Sequence, residues 1–128
     1  MLAANYDITL DRAAEYTFVL TIQNQAGSPV DLSSVLSGGS PDKVWADVRD
    51  ADTKKEVTSF DCVVIQPGTL GQIKLTLTEQ QTLLFNTKRS YEYDLFMYRN
   101  TKMERLLYGK VNVRSNVTKG SPVDPAQP

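Results

Sequence analysis

Tyr91-Glu92-Tyr93-Asp94-Leu95-Phe96-Met97-Tyr98, followed by the polar turn Arg99-Asn100-Thr101-Lys102 and a return run over residues 105–113, decides the fold class. Aromatic and branched residues dominate both runs, and a short polar link between two such runs is the pattern of a β-hairpin. Period-two alternation puts Tyr91, Tyr93, Leu95 and Met97 on one face of the first run and Glu92, Asp94, Phe96 and Tyr98 on the other. Leu107, Val111 and Val113 are the apolar partners on the return run.

Working outward toward the N-terminus, Thr78-Glu79-Gln80-Gln81 has an N-cap Thr and a Gln at the third helical position. That is a capping box, in which two free backbone amides are satisfied reciprocally. It predicts a short helix to about Phe85, with Leu83, Leu84 and Phe85 plugging one end of a sandwich. Before it, residues 72–78 alternate most cleanly in the chain, and Pro67-Gly68-Thr69-Leu70-Gly71 forms a turn. Residues 56–60 with 62–66 supply one long bent strand or two short ones. Residues 43–50 alternate Val44, Ala46 and Val48 against Trp45, Asp47 and Arg49.

Residues 33–42, containing Ser37-Gly38-Gly39-Ser40-Pro41, read as an exposed loop, and Val30 and Leu32 as an apolar pair docked at a sheet end. Residues 15–23 read as a core strand, ended by turn formers that include Gly27 and Pro29. Residues 6–11 read as a half-buried first strand. The sum is about seven short strands, one short helix and no alternation of long helices with strands, which predicts an all-β antiparallel sandwich. Immunoglobulin-like topology is the leading form, with a jelly roll or small barrel as the alternative. Residues 1–118 form one domain in this reading, and residues 119–128 an extended Pro-rich tail.

The chemistry available is narrow. The 128 residues contain no His, which removes the commonest general base and metal ligand. With 14 Lys plus Arg against 15 Asp plus Glu, the net charge of -1 gives no reason to expect a nucleic-acid partner. No apolar run reaches the ~20 residues of a membrane span, and no secretory signal core is present, so the chain is expected to be made in the cytoplasm. The single Cys62, within an apolar run, reads as a small buried hydrophobe. Asp47, Asp50 and Asp52 lack the spacing of a calcium loop and read as a solvated turn. Glu92 and Asp94 read as a polar stripe on one sheet face or as lying opposite Lys110 and Arg114. No catalytic, cofactor or metal site is assigned, and the chain is expected not to be an enzyme.

The order of residues 6–10, 16–20, 26–33, 71–77, 91–95 and 106–111 resembles the small virion structural domains of tailed bacteriophages. The segment Gly27-Ser28-Pro29-Val30-Asp31-Leu32, the strand Tyr91-Glu92-Tyr93-Asp94-Leu95 and the strand Leu106-Leu107-Tyr108-Gly109-Lys110-Val111 carry that resemblance. It is similar to the immunoglobulin-like domains of baseplates, tail-fibre bases and head decoration proteins. The resemblance implies a non-enzymatic adaptor in the virion, present in several symmetric copies, that contacts tail, baseplate, fibre or coat subunits. A capsid cement protein is the runner-up.

The candidate partner contacts are Leu2, Tyr6, Trp45, Val117, Pro122, Val123 and Pro125. Tyr91 or Tyr93 is the candidate for a tyrosine that ties the preceding corner to the sheet. Trp45, whose strand face it shares with Asp47 and Arg49, also carries the alternative of a carbohydrate-binding module.

Overall fold

The computed structural model describes residues 4–36 and 39–115. Its strands are β1 (Ala4–Asn5), β2 (Ile8–Asp11), β3 (Tyr16–Thr21), β4 (Lys43–Asp50), β5 (Glu56–Val64), β6 (Gln72–Leu77), β7 (Tyr91–Arg99) and β8 (Lys102–Arg114). Helix α1 (Ser33–Leu36) lies between β3 and β4, and α2 (Glu79–Thr82) between β6 and β7. The expected all-β class is what the chain adopts. The hydrogen-bonded order is β1-β8-β7-β4-β5-β6-β3, with β2 also on β8, a mixed sheet curled into a half-barrel.

Alternation explains which face closes inward. Ile73, Leu75 and Leu77 of β6, Ala46 and Val48 of β4, and Tyr91, Tyr93, Leu95 and Met97 of β7 are all buried. Phe60 of β5 joins them, with Ile8 and Leu10 of β2 and Leu107 and Val111 of β8. Burying such side chains is the main favourable term in folding, about 1.5–3 kcal/mol for each large one.

One strand links the two halves of the sheet. The first part of β5, up to Phe60, pairs with β4, and the part from Asp61 to Val64 pairs with β6. Of the two expected forms, the single bent strand is the one observed. The hairpin turn places Asn100 and Thr101 at φ 55° and 62°, the two positive values that a two-residue type I′ loop requires. In β8 a bulge opposite Leu95 and Phe96 lets two consecutive residues, Leu106 and Leu107, both face inward.

Several local expectations are corrected. β1 and β2 pair with β8 in parallel, so the sheet is mixed and not purely antiparallel. The contact joins opposite ends of the chain, and no short-range pattern encodes that. β3 is an edge strand: Thr17, Val19 and Thr21 on its second face are exposed. The hairpin is late in sequence but interior in space, since β7 lies between β4 and β8.

A second helix, α1, occupies part of the expected loop. Asp31 Oδ1 accepts the Ser33 N–H at 2.9 Å, and Ser34 Oγ donates to Asp42 Oδ2 at 2.6 Å. Helix α2 carries the expected capping box between Thr78 and Gln81 but stops at Thr82. Beyond it Phe85 is the plug, 2% exposed, whereas Leu84 remains exposed. Val30 and Leu32 are buried as an apolar pair. The tail at 119–128 lies outside the described residues.

Candidate functional site

The outer face of β4, β7 and β8 collects the polar and aromatic residues singled out in the sequence. Register sets them in rows across the strands. Trp45 stands opposite Phe96, and Phe96 opposite Arg105. In the next row Ser59, Asp47, Asp94 and Tyr108 face one another in turn, and in the next Glu56, Arg49, Glu92 and Lys110. The Glu92 stripe therefore meets Lys110, whereas Arg114 pairs with Asp11 at 2.9 Å.

Between these rows lies a shallow groove of about 280 Å³, with Asp7, Asp47, Arg49, Asp94, Arg105 and Lys110 in its walls. Its acids, Glu92 among them, interleave with the three bases. Asp94 is opposite Asp47 in register, an arrangement that like charges disfavour. Burial raises the Asp94 carboxyl above its ordinary range, against the pull of Arg49 and Arg105 on either side. Asp47 accepts the Ser59 hydroxyl at 2.6 Å, and Lys54 reaches Glu92 at 2.9 Å. Each acid thus has a positive or donor neighbour, and no group of three potential metal ligands occurs among the described residues.

Trp45 is stacked on Phe96, ring centres 5.9 Å apart at 21°, and the Lys43 ammonium sits 4.9 Å from its ring centre. The indole is engaged by its own sheet through both contacts. Arg105 lies over Tyr108 in the same manner, at 4.8 Å.

The two tyrosines expected at a corner have different partners. The Tyr91 hydroxyl accepts the Asn86 N–H at 2.7 Å, five residues upstream, which fixes the corner after α2. Phe85 packs edge-on against the same ring at 4.7 Å. Tyr93 donates to the Tyr6 carbonyl at 2.5 Å and so holds the N-terminal segment against β8. Burial, then Tyr16 and Tyr6 beside it, raises the Tyr93 phenol well above its ordinary value.

Of the candidate partner contacts, Tyr6 and Trp45 are described. Tyr6 is 49% exposed and rests on Phe18, so it lies at the seam between the N-terminal strands and β3. Trp45 is half-buried. Leu2, Val117, Pro122, Val123 and Pro125 lie outside the described residues. Cys62 is half-buried, its thiol pushed up to about 12 by burial and then by Asp61, which fits an inert side chain.

The aspartate cluster divides. Asp52 is exposed, but Asp50 is buried, and its carboxylate accepts Arg89 Nε at 2.5 Å and the amides of Asp52 and Thr53 at 2.8 and 3.0 Å. The solvated-turn reading therefore fails for Asp50. Its alternation with Val48 and Ala46 was the available signal, because that phase points it inward.

Two further positioning residues went unread in the sequence. Arg12 donates to the carbonyls of Phe85 and Leu83 at 3.2 and 3.4 Å. Gly109 lies under the Tyr6 carbonyl, where a Cβ would come within 2.1 Å of the oxygen. A glycine inside a strand pattern is a signal of close backbone approach, so Gly109 could have been found. Arg12 carried no such signal. Compared with known proteins, the chain matches no protein-family model and no curated protein.

Proposed function

We propose that the chain is a non-enzymatic structural protein of a tailed-bacteriophage virion, an adaptor that joins larger parts in the tail, baseplate or fibre-attachment region. The finer fold within this reading is an immunoglobulin-like sandwich. The strand order supports it: β3-β6-β5 follows the order B-E-D of that fold and β4-β7-β8 the order C-F-G, with β5 shared because it is one long strand. Tyr91, opening β7 and bonded five residues back, sits where such a fold has its corner tyrosine.

The observation that carries the adaptor role is the edge of β3, with no further strand beside it among the described residues, next to the exposed ring of Tyr6. Sheet edges left without charge or Pro are templates for a partner strand. The charged outer groove supplies a second surface, suited to fixing the register of a docked subunit.

Dissection of purified virions into heads and tails, with the chain quantified in each by mass spectrometry, tests the proposal. Recovery with tails or baseplates is the expected result. Recovery with heads alone replaces the adaptor by a capsid cement protein, and absence from both fractions overturns the virion reading.

A further inference from the structure

We propose that the outer edge of β3 is a docking site for an extended segment, residues 116–121, of a second copy of this chain. β3 closes one end of the hydrogen-bonded order and the N-terminal strands the other. Across the gap the described residues meet through side chains: Tyr6 lies 5.7 Å from Phe18, and Tyr16 lies 5.7 Å from Phe18 on the same strand. Among the described residues, β6 is the one strand paired with β3.

The phase of that pairing defines what the edge offers. Ile22 N–H donates to Gly71 O at 2.8 Å, in continuation of the Tyr16↔Leu77 to Thr21↔Gln72 register. Antiparallel pairs alternate, so Tyr16, Phe18 and Leu20 direct their backbone groups at β6, while Thr17, Val19 and Thr21 direct theirs outward. The strand Tyr16-Thr17-Phe18-Val19-Leu20-Thr21 has neither charge nor Pro, the usual guards of an edge. Tyr6 and Val19, 49% and 51% exposed, flank the opening.

The occupant follows from where the described chain ends. Arg12 N–H donates to Arg114 O at 2.9 Å, so β8 finishes beside the turn at 12–15, at the end of the domain where β3 begins. Next come Asn116-Val117-Thr118-Lys119-Gly120-Ser121, six residues without Pro, ahead of Pro122. Six extended residues span about 20 Å, the length of the six-residue β3 edge.

Direction decides between copies. β8 runs toward the 12–15 turn and β3 runs away from it, so the chain's own segment would have to reverse before lying along β3. That reversal would consume Asn116, Val117 and Thr118, the strand-forming part. In the proposal the segment is supplied by another copy, whose Val117 and Thr118 would cover Tyr6 and Val19. The contact is heterologous, so repetition closes a ring or extends a filament. The inference deepens the adaptor role and rests on it only for its biological setting, since purified chain suffices to test it and virion content does not enter the result.

Sedimentation of the full chain across micromolar concentrations is the test, with three variants. Val19→Pro and Thr17→Pro each remove one outward N–H and leave the β6 ladder, and V117P/T118P spoils the donor segment. The full chain is expected to self-associate, and each variant to be monomeric with its melting transition retained. Mixing V19P with V117P/T118P is expected to restore a one-to-one pair, because one copy keeps its donor and the other its edge. A full chain that stays monomeric overturns the proposal. Association that survives V117P/T118P overturns it in favour of edge-to-edge pairing of β3, and monomeric variants that fail to complement overturn the donor–edge geometry. If V19P does not fold, T17P takes its place in the mixture with the same outcomes.

Discussion

The half of the sheet built from β4, β7, β8 and the N-terminal strands is locked by side chains, whereas the half built from β3 and β6 is held by its backbone ladder and the shared core. On the first side Tyr93 grips the Tyr6 carbonyl, Asp7 Oδ1 accepts the Lys110 N–H at 2.9 Å, and Asp11 pairs with Arg114. Arg89 closes on Asp50, and Tyr91 on Asn86. On the second side the Thr17 and Thr76 hydroxyls meet at 3.2 Å on an exposed face.

The contrast has a physical reason. β1 and β2 are two and four residues long, too short for their ladder bonds alone to hold the chain terminus on β8, and β3 has six paired residues. Among the described residues one edge is therefore fastened and the other has no strand beside it.

The largest expected effect attacks the fastened edge at its closest contact. Gly109→Ala sets a methyl group against the Tyr6 backbone, which cannot swing aside as a side chain would. The expected cost is about 3 kcal/mol, a fall of roughly 10 °C in Tm by thermal denaturation. Hydrogen exchange is expected to accelerate across β1 and β2 while the β6-paired amides of β3 stay protected; equal loss on both edges would erase the distinction.

Tyr93→Phe comes next, at about 1 kcal/mol for one lost hydrogen bond. Faster exchange is expected at the Tyr6 and Lys110 amides. Tyr91→Phe is expected to cost a similar amount and to release the Asn86 amide instead. Unchanged Tm in both variants would reject the assignment of either hydroxyl as a tie.

A pH titration sharpens the comparison further. The Arg89 side chain, then the Thr53 amide, holds the folded Asp50 carboxyl well below its ordinary range. A depressed folded pKa stabilises the fold above the unfolded value of about 4 and loses that contribution as pH falls below it. Urea midpoints measured from pH 6 to pH 2 are thus expected to fall below pH 4 in the parent chain. In Asp50→Asn the midpoint starts lower and falls less. Parallel curves would show that the Asp50–Arg89 contact contributes nothing to acid stability. Thr17→Ala, on the open half, is expected to stay within about 0.5 kcal/mol of the parent, as exposed positions do.

Much of the fold was legible because its strands alternate strongly. β4 and β6 stand within a residue of their expected spans, and the capping box at Thr78 marked α2 where it occurs. What escaped was long-range. Nothing near Ile8 says that it will lie parallel to Val111, and nothing near Tyr16 says that its strand will end the sheet. Of the candidate site, Trp45, Asp47, Arg49, Glu92 and Asp94 were placed on their faces by period two. Their assembly into one groove needed the register between β4 and β7, which depends on the whole core. Asp50 shows the same limit from within: period two points it inward, but its partner Arg89, 39 residues away, is not marked by any local pattern.

The passage of β5 from one half of the sheet to the other has a mechanical consequence. Its partner changes from β4 to β6 between Phe60 and Asp61, and the Phe60 ring is wedged edge-on against Phe18 and Tyr93. A pull applied at β3 passes through β6 into β5 in shear, across ladders whose bonds share the load. It crosses from one half of the sheet to the other along the covalent backbone of β5 and then meets the β4 ladder. The two halves are thus joined by continuous chain, and the first yielding expected under load is at the rim.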